Sequence, residues 1–181
     1  MRAMQKMKKR QALGMSGAAG LAVLLAATPA GAAVTSITAV GPLRDLSATV
    51  DPTDGARAVV QSLATSTGTT IRLSLRGLDS AFAGVEYGAH VHVGPCVAGD
   101  GALAGPHYNS TGLPGTAGRV VTDQTEVWLD FVIDGKGRAS SKAKVPFVIP
   151  KGGAGSVVIH AAPTAPDGTA GARLACIPVK F

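Results

Sequence analysis

Four histidines and two cysteines carry most of the chemistry open to this 181-residue chain. His90 and His92 stand two residues apart in Gly88-Ala89-His90-Val91-His92-Val93, where the apolar neighbours predict a strand. A period of two then places both imidazoles on one face. His107 falls in a long Gly- and Pro-rich stretch, and His160 closes the apolar run Val157-Val158-Ile159. A same-face pair joined by two imidazoles from separate segments is a way for a sheet to build a nitrogen-rich metal site. Neutral imidazoles suit copper, zinc, nickel and iron; redox-active Cu(II) is a natural occupant of a four-nitrogen set, although spacing alone does not select it. A single His-x-His on a strand is ordinarily a solvated face, and His160 alone would be a packed or surface residue. The four together point to a metal.

The elements that must position them read as strands. Ala58 to Leu63 is one apolar run, and Ile71, Leu73 and Leu75 alternate with Arg72, Ser74 and Arg76, which puts the arginines in water. Further runs span Val85–Val93, Val127–Ile133, Ala139–Val145, Ser156–His160 and Leu174–Phe181, with Val34–Val40 as an edge strand. Asp134-Gly135-Lys136-Gly137 between two of these runs predicts a hairpin. Gly94 to Thr125 and Ala161 to Ala172 have turn composition, and a loop as long as the first is uncommon in a compact domain unless tethered or functional. The expected architecture is all-β: an antiparallel Greek-key sandwich or barrel of about eight strands with long loops. Residues 34–55 read as an N-terminal extension or edge strand, and 56–181 as the β domain.

Composition bounds the rest. With 46% hydrophobic residues the chain is not intrinsically disordered. Five of its 17 Lys and Arg residues lie within the first ten positions, before an apolar stretch through Leu21–Ala27 and the small-residue run Ala30-Gly31-Ala32-Ala33. Residues 1–33 therefore read as a secretory signal peptide, too short in its apolar core for a comfortable membrane span. The protein is expected to be secreted or to stay in the periplasm or cell envelope, with no membrane span after cleavage. Residues 34–181 hold 12 basic against 11 acidic residues, near +1, which argues against nucleic acid as the partner. In an oxidising compartment Cys96 and Cys176 read most simply as a disulfide. A thiolate metal site is the competing reading, and no CxxC spacing supports it.

Gly88-Ala89-His90-Val91-His92, Cys96, Ala104-Gly105-Pro106-His107-Tyr108-Asn109, Ser156-Val157-Val158-Ile159-His160-Ala161 and Gly171-Ala172-Arg173-Leu174-Ala175-Cys176 occur in that order. From about Ala56 to Phe181 the chain resembles the copper/zinc superoxide dismutase family. The resemblance implies an eight-stranded Greek-key sandwich, copper held by His90, His92, His107 and His160, and superoxide as substrate. It also implies a Cys96–Cys176 disulfide tying the long loop to the last strand, and Arg173 as the arginine that guides the anion. His107 matches the position that bridges copper and zinc in two-metal relatives.

The departures narrow the likeness. Between Tyr108 and Phe131 there is no histidine, and the acidic residues there are Asp123, Glu126 and Asp130. A closed zinc site cannot be assembled from these, and the segment from His160 to Arg173 is shorter than the charged loop of those relatives. The chain is most similar to the copper-only branch: one copper ion, zinc absent, and Glu126 accepting a hydrogen bond from His107 in place of zinc. That role raises the basicity of His107, as outer carboxylates do for ligating histidines; the alternative is a solvated glutamate at a strand start. Two other functional classes stay open: a non-catalytic secreted copper-binding module on the same fold, and an interaction domain whose histidines take up adventitious metal. Oligomeric state is not legible in the sequence.

Overall fold

The computed structural model describes residues 34–181; the expected signal segment, 1–33, lies outside the described residues. Among the described residues there are ten strands: β1 Thr35–Pro42, β2 Arg44–Asp45, β3 Arg57–Thr65, β4 Gly68–Arg76, β5 Glu86–Tyr87, β6 Ala89–His92, β7 Phe131–Val132, β8 Arg138–Val145, β9 Ser156–His160 and β10 Arg173–Pro178. Two of the breaks are single residues, Leu43 between β1 and β2 and Gly88 between β5 and β6. Joining across them recovers the eight strands that the alternation predicts. The described helices are two 3₁₀ turns, Ser80–Phe82 and Gly101–Ala104, and none is long and apolar enough to cross a membrane.

The period-two pattern of β4 becomes a sheet with one wet and one dry face. Ile71, Leu73 and Leu75 are buried while Arg72, Ser74 and Arg76 are exposed. This sheet runs β1-β3-β4-β8, and a second runs β2-β10-β9-β6, with β5 paired to β7 beside it. All the pairings are antiparallel. The inner faces meet in one core that includes Val60, Ile71, Leu73, Val91, Leu129, Ile133, Val157, Ile159 and Ile177. Each such fully buried aliphatic side chain contributes about 1.5–3 kcal/mol. Every residue of β9 and β6 is buried; these strands are covered on their outer face as well, by the long loop that sequence composition marks as irregular.

β1 pairs with β3 along eight residues, from Thr35↔Ala64 to Pro42↔Arg57, and β2 continues it onto β10. The hairpin expected at Asp134–Gly137 is not formed. The turn closes locally, with Asp134 N–H donating to Arg138 O at 2.8 Å, but β7 pairs with β5 and β8 pairs with β4. The Asp-Gly signal marks a sharp turn, and here the turn carries the chain from one sheet to the other. Gly137 has φ +64°, and a Cβ there would strike the Leu78 carbonyl oxygen, so local geometry demands glycine whichever sheet follows. The run Val127–Ile133 keeps its alternation in burial but is laddered only at Phe131–Val132.

A Cys96–Cys176 disulfide joins the start of the long loop to β10, with Cα atoms 5.7 Å apart and the partners 80 positions apart in sequence. It packs against Ala104 and Val158 in a small second cluster. In the chain-entropy account it stabilises the fold by about 4 kcal/mol.

Candidate metal centre

Alternation places the histidines on the outer face of the second sheet. Ala89 and Val91 of β6 point into the core, so His90 and His92 point the other way. On β9, Val157 and Ile159 face the core and Val158 and His160 face outward. Register sets His92 opposite Ser156 and His160 opposite Arg173. The long loop and the run Val127–Ile133 that follows it then lie along the free side of β6: His107 bridges to His92, Trp128 bridges to His90, and Tyr108 N–H donates to Val91 O at 2.8 Å. The result is a four-imidazole cluster in which one ring nitrogen from each of His90, His92, His107 and His160 lies within 4.8 Å of the others.

The other ring nitrogen of each histidine has an acceptor. His92 Nδ1 donates to Gly105 O at 3.0 Å and His160 Nδ1 to Gly171 O at 3.2 Å. His107 Nδ1 donates to Glu126 Oε2 at 2.9 Å. His90 Nε2 lies 2.7 Å from Thr164 Oγ1, whose hydroxyl donates to Asp130 Oδ1 at 2.6 Å. In the neutral tautomers that these contacts fix, four lone pairs remain: His90 Nδ1 and the Nε2 atoms of His92, His107 and His160. His90 Nδ1 is buried with no hydrogen-bond partner. His92 Nε2 and His160 Nε2 face each other at 3.2 Å, an arrangement in which two acceptors repel unless a cation lies near both. The donor set fits a metal ion that prefers nitrogen ligands.

Burial keeps three of the rings, those of His90, His92 and His160, neutral. It is the largest cause of the depressed pKa values of His90, His92 and His160, reinforced by the neighbouring histidines; His92 is lowered to about 2 and His160 to about 4. His107 is the imidazole with solvent access, its side chain 15% exposed.

Glu126 is 1% exposed and receives four donors. Oε2 takes His107 Nδ1 and, at 3.1 Å, Trp128 Nε1; Oε1 takes Arg119 Nη2 at 2.8 Å and Asn109 Nδ2 at 3.2 Å. Burial pushes its pKa up, but the bonds from His107, Trp128 and Asn109 outweigh this and hold it below the usual value. The solvated-glutamate alternative does not survive this geometry. Arg173 is partly buried, its guanidinium fixed by the carbonyls of Gly101 and Gly105. Gly105 O thus ties Arg173 to His92.

The site also contains residues that sequence reasoning did not single out. Asp130 accepts from Thr164 N at 2.8 Å as well as from its hydroxyl, and so pins the loop 161–172 against β7. Gly88 lets that loop approach: a Cβ there would lie 2.8 Å from Ala162 O and 3.2 Å from Thr164 Oγ1. Asp130 and Trp128 could have been found, because Val127, Leu129 and Phe131 point inward and alternation sends Glu126, Trp128 and Asp130 to the face that carries the histidines. Arg119 and Thr164 lie in loops with no periodic signal. Among the described residues one other group could hold a cation, Asp45, Asp51 and Asp54, and it is largely exposed.

No protein-family model matches the chain, and no curated protein matches it. Solved structures do. One is the clock protein EA4, at 18% identity and a TM-score of 0.52, covering 80% of this chain and 92% of that one. Another is a double mutant of a SOD-like protein from Bacillus subtilis, at 19% identity and a TM-score of 0.55, covering 81% and 97%. At these identities the likeness shows the fold: this chain is a SOD-like β-sandwich.

Proposed function

We propose that this chain is an exported, copper-dependent superoxide dismutase that works without zinc. What carries the reading is the division of the eight ring nitrogens, four fixed by acceptors and four left with lone pairs in one cluster. The zinc-free assignment rests on His107 Nδ1, the nitrogen that would bridge to a second metal. It is taken by Glu126, which is itself saturated by Arg119, Asn109 and Trp128. Copper bound by His90, His92, His107 and His160 would supply one-electron chemistry, Cu(II)/Cu(I), oxidising one superoxide to dioxygen and reducing a second, with two protons, to hydrogen peroxide.

The chain's own groups serve access, charge and protons. His107 lies on the open side, so the anion approaches there. Arg173 presents a permanent positive charge held in place by two carbonyls. With residues 34–181 near +1, attraction of the anion is local rather than long-range. Glu126 fixes the Nδ1 proton of His107, which leaves the Nε2 lone pair facing the cluster. Residues 1–33 are the export signal in this reading, and the disulfide is compatible with an oxidising compartment.

The test is to reconstitute the purified protein with Cu(II), determine copper and zinc content, and follow superoxide consumption by stopped flow. One copper, no zinc and fast turnover is the expected result. One tightly held copper without turnover would make the protein a metal-carrying module, and failure to retain copper would remove the proposal altogether.

A further inference from the structure

The wet face of the first sheet carries a charge pattern that the metal site does not use. Its register lines up four outward rows: Pro42-Arg57-Arg76-Arg138, Val40-Val59-Ser74-Ser140, Thr38-Gln61-Arg72-Lys142 and Ser36-Leu63-Thr70-Lys144. Of these sixteen positions six are cationic and none is acidic. They take half of the 12 basic residues in 34–181. All six are exposed, and among the described residues only Arg138 has a carboxylate partner, Asp134 at 3.1 Å. Arg57, Arg76 and Arg138 are direct cross-strand neighbours, as are Arg72 and Lys142.

Like charges placed directly opposite destabilise a sheet, so the fold bears a cost for this arrangement. Lysines on an edge strand protect it from pairing with other chains, which accounts for Lys142 and Lys144 on β8. It does not account for Arg57, Arg72 and Arg76 on the inner strands β3 and β4. The six cations form a strip about 10 Å across and about 20 Å long, from two strand spacings and six residues of rise. Ser74, Ser140, Thr70 and Gln61 stand between them as neutral hydrogen-bonding groups.

We infer that this face binds a linear anionic polysaccharide. Charge complementarity selects an extended polyanion, and guanidinium forks suit its repeating oxyanions. The interspersed hydroxyl and amide groups suit a partner bearing sugar hydroxyls. The face has no aromatic side chain to stack on a nucleic-acid base. Its apolar residues are few, one cross-strand pair Val40 and Val59 and a separate Leu63, too small a surface to wedge into a bilayer.

The test uses the full-length protein as the host processes it, with dextran sulfate as probe and neutral dextran as blank. Two charge-matched variants are compared: Arg72→Thr/Arg76→Thr on the face, and Lys151→Ser/Lys180→Ser away from it. The face variant should lose about tenfold or more in affinity at moderate salt and show a shallower dependence on salt concentration. The control should change less than about twofold, and copper content and superoxide consumption should stay the same in both. The melting temperature of the face variant should not fall, which separates lost binding from lost folding. Equal losses in both variants, or none in either, would overturn the inference. So would tighter binding to a DNA duplex or to anionic phospholipid vesicles than to dextran sulfate.

Discussion

Replacing Glu126 with glutamine keeps the size of the side chain and removes its charge, so it tests whether the carboxylate positions His107 or merely fills space. The carboxylate receives donors on both oxygens: His107 and Trp128 on Oε2, Arg119 and Asn109 on Oε1. A glutamine has one acceptor oxygen, and its NH₂ must face one of these pairs. Turned toward Arg119 and Asn109, it leaves a guanidinium without its counter-charge. Turned toward His107, it donates to Nδ1 and drives the ring proton to Nε2, the nitrogen the metal needs. Breaking a buried ion pair costs about 3–5 kcal/mol. Arg119 keeps 21% exposure, so the lower end, about 3 kcal/mol, is expected for metal-free Glu126→Gln in urea unfolding. Copper affinity, read by competition with a chelator of known strength, should fall about 10–100-fold, the usual range for losing an outer carboxylate partner. A variant that loses stability but keeps its copper affinity would refute the positioning role and leave Glu126 as a structural anchor.

Three further outcomes follow from the same geometry. Thr164→Val breaks the chain from His90 through Thr164 to Asp130 and should change the Cu(II) electron paramagnetic resonance hyperfine pattern, while Thr164→Ser should restore it; an unchanged spectrum in Thr164→Val would show that His90 needs no such support. Arg173→Ala should lower the second-order rate with superoxide and flatten its salt dependence with copper still bound; because Gly105 O also serves His92, Arg173→Lys should recover part of the rate. Metal-free protein should lose stability as pH falls from about 6.5 toward 4. His92 and His160 are held at about 2 and about 4 in the fold, so the unfolded chain takes up protons first, which removes up to about 1.4 kcal/mol per pH unit for each ring. Urea midpoints measured across that range check it, and a flat profile would mean the rings are not held neutral.

The sequence by itself determined which side chains face which way within a strand. Period-two alternation set the inward residues of β4, put His90 and His92 on one face, and placed Glu126, Trp128 and Asp130 on one side of the chain, because the direction of a strand side chain is a local property of the backbone. Order and spacing of the histidine, cysteine and arginine segments were enough to name a family likeness. Only the tertiary structure decided which strand each strand pairs with. Asp134–Gly137 folds as the sequence indicates locally, yet it delivers β8 to β4 and leaves β7 with β5, since pairing depends on where distant strands are when the core closes. The same holds for the second ring nitrogens. Gly105, Gly171, Thr164 and Arg119 reach the site from loops whose course is fixed by single hydrogen bonds and a distant disulfide, and such contacts leave no periodic trace along the chain. The row of arginines on the first sheet belongs with them: each residue is an ordinary exposed cation in its own strand, and register alone brings them side by side.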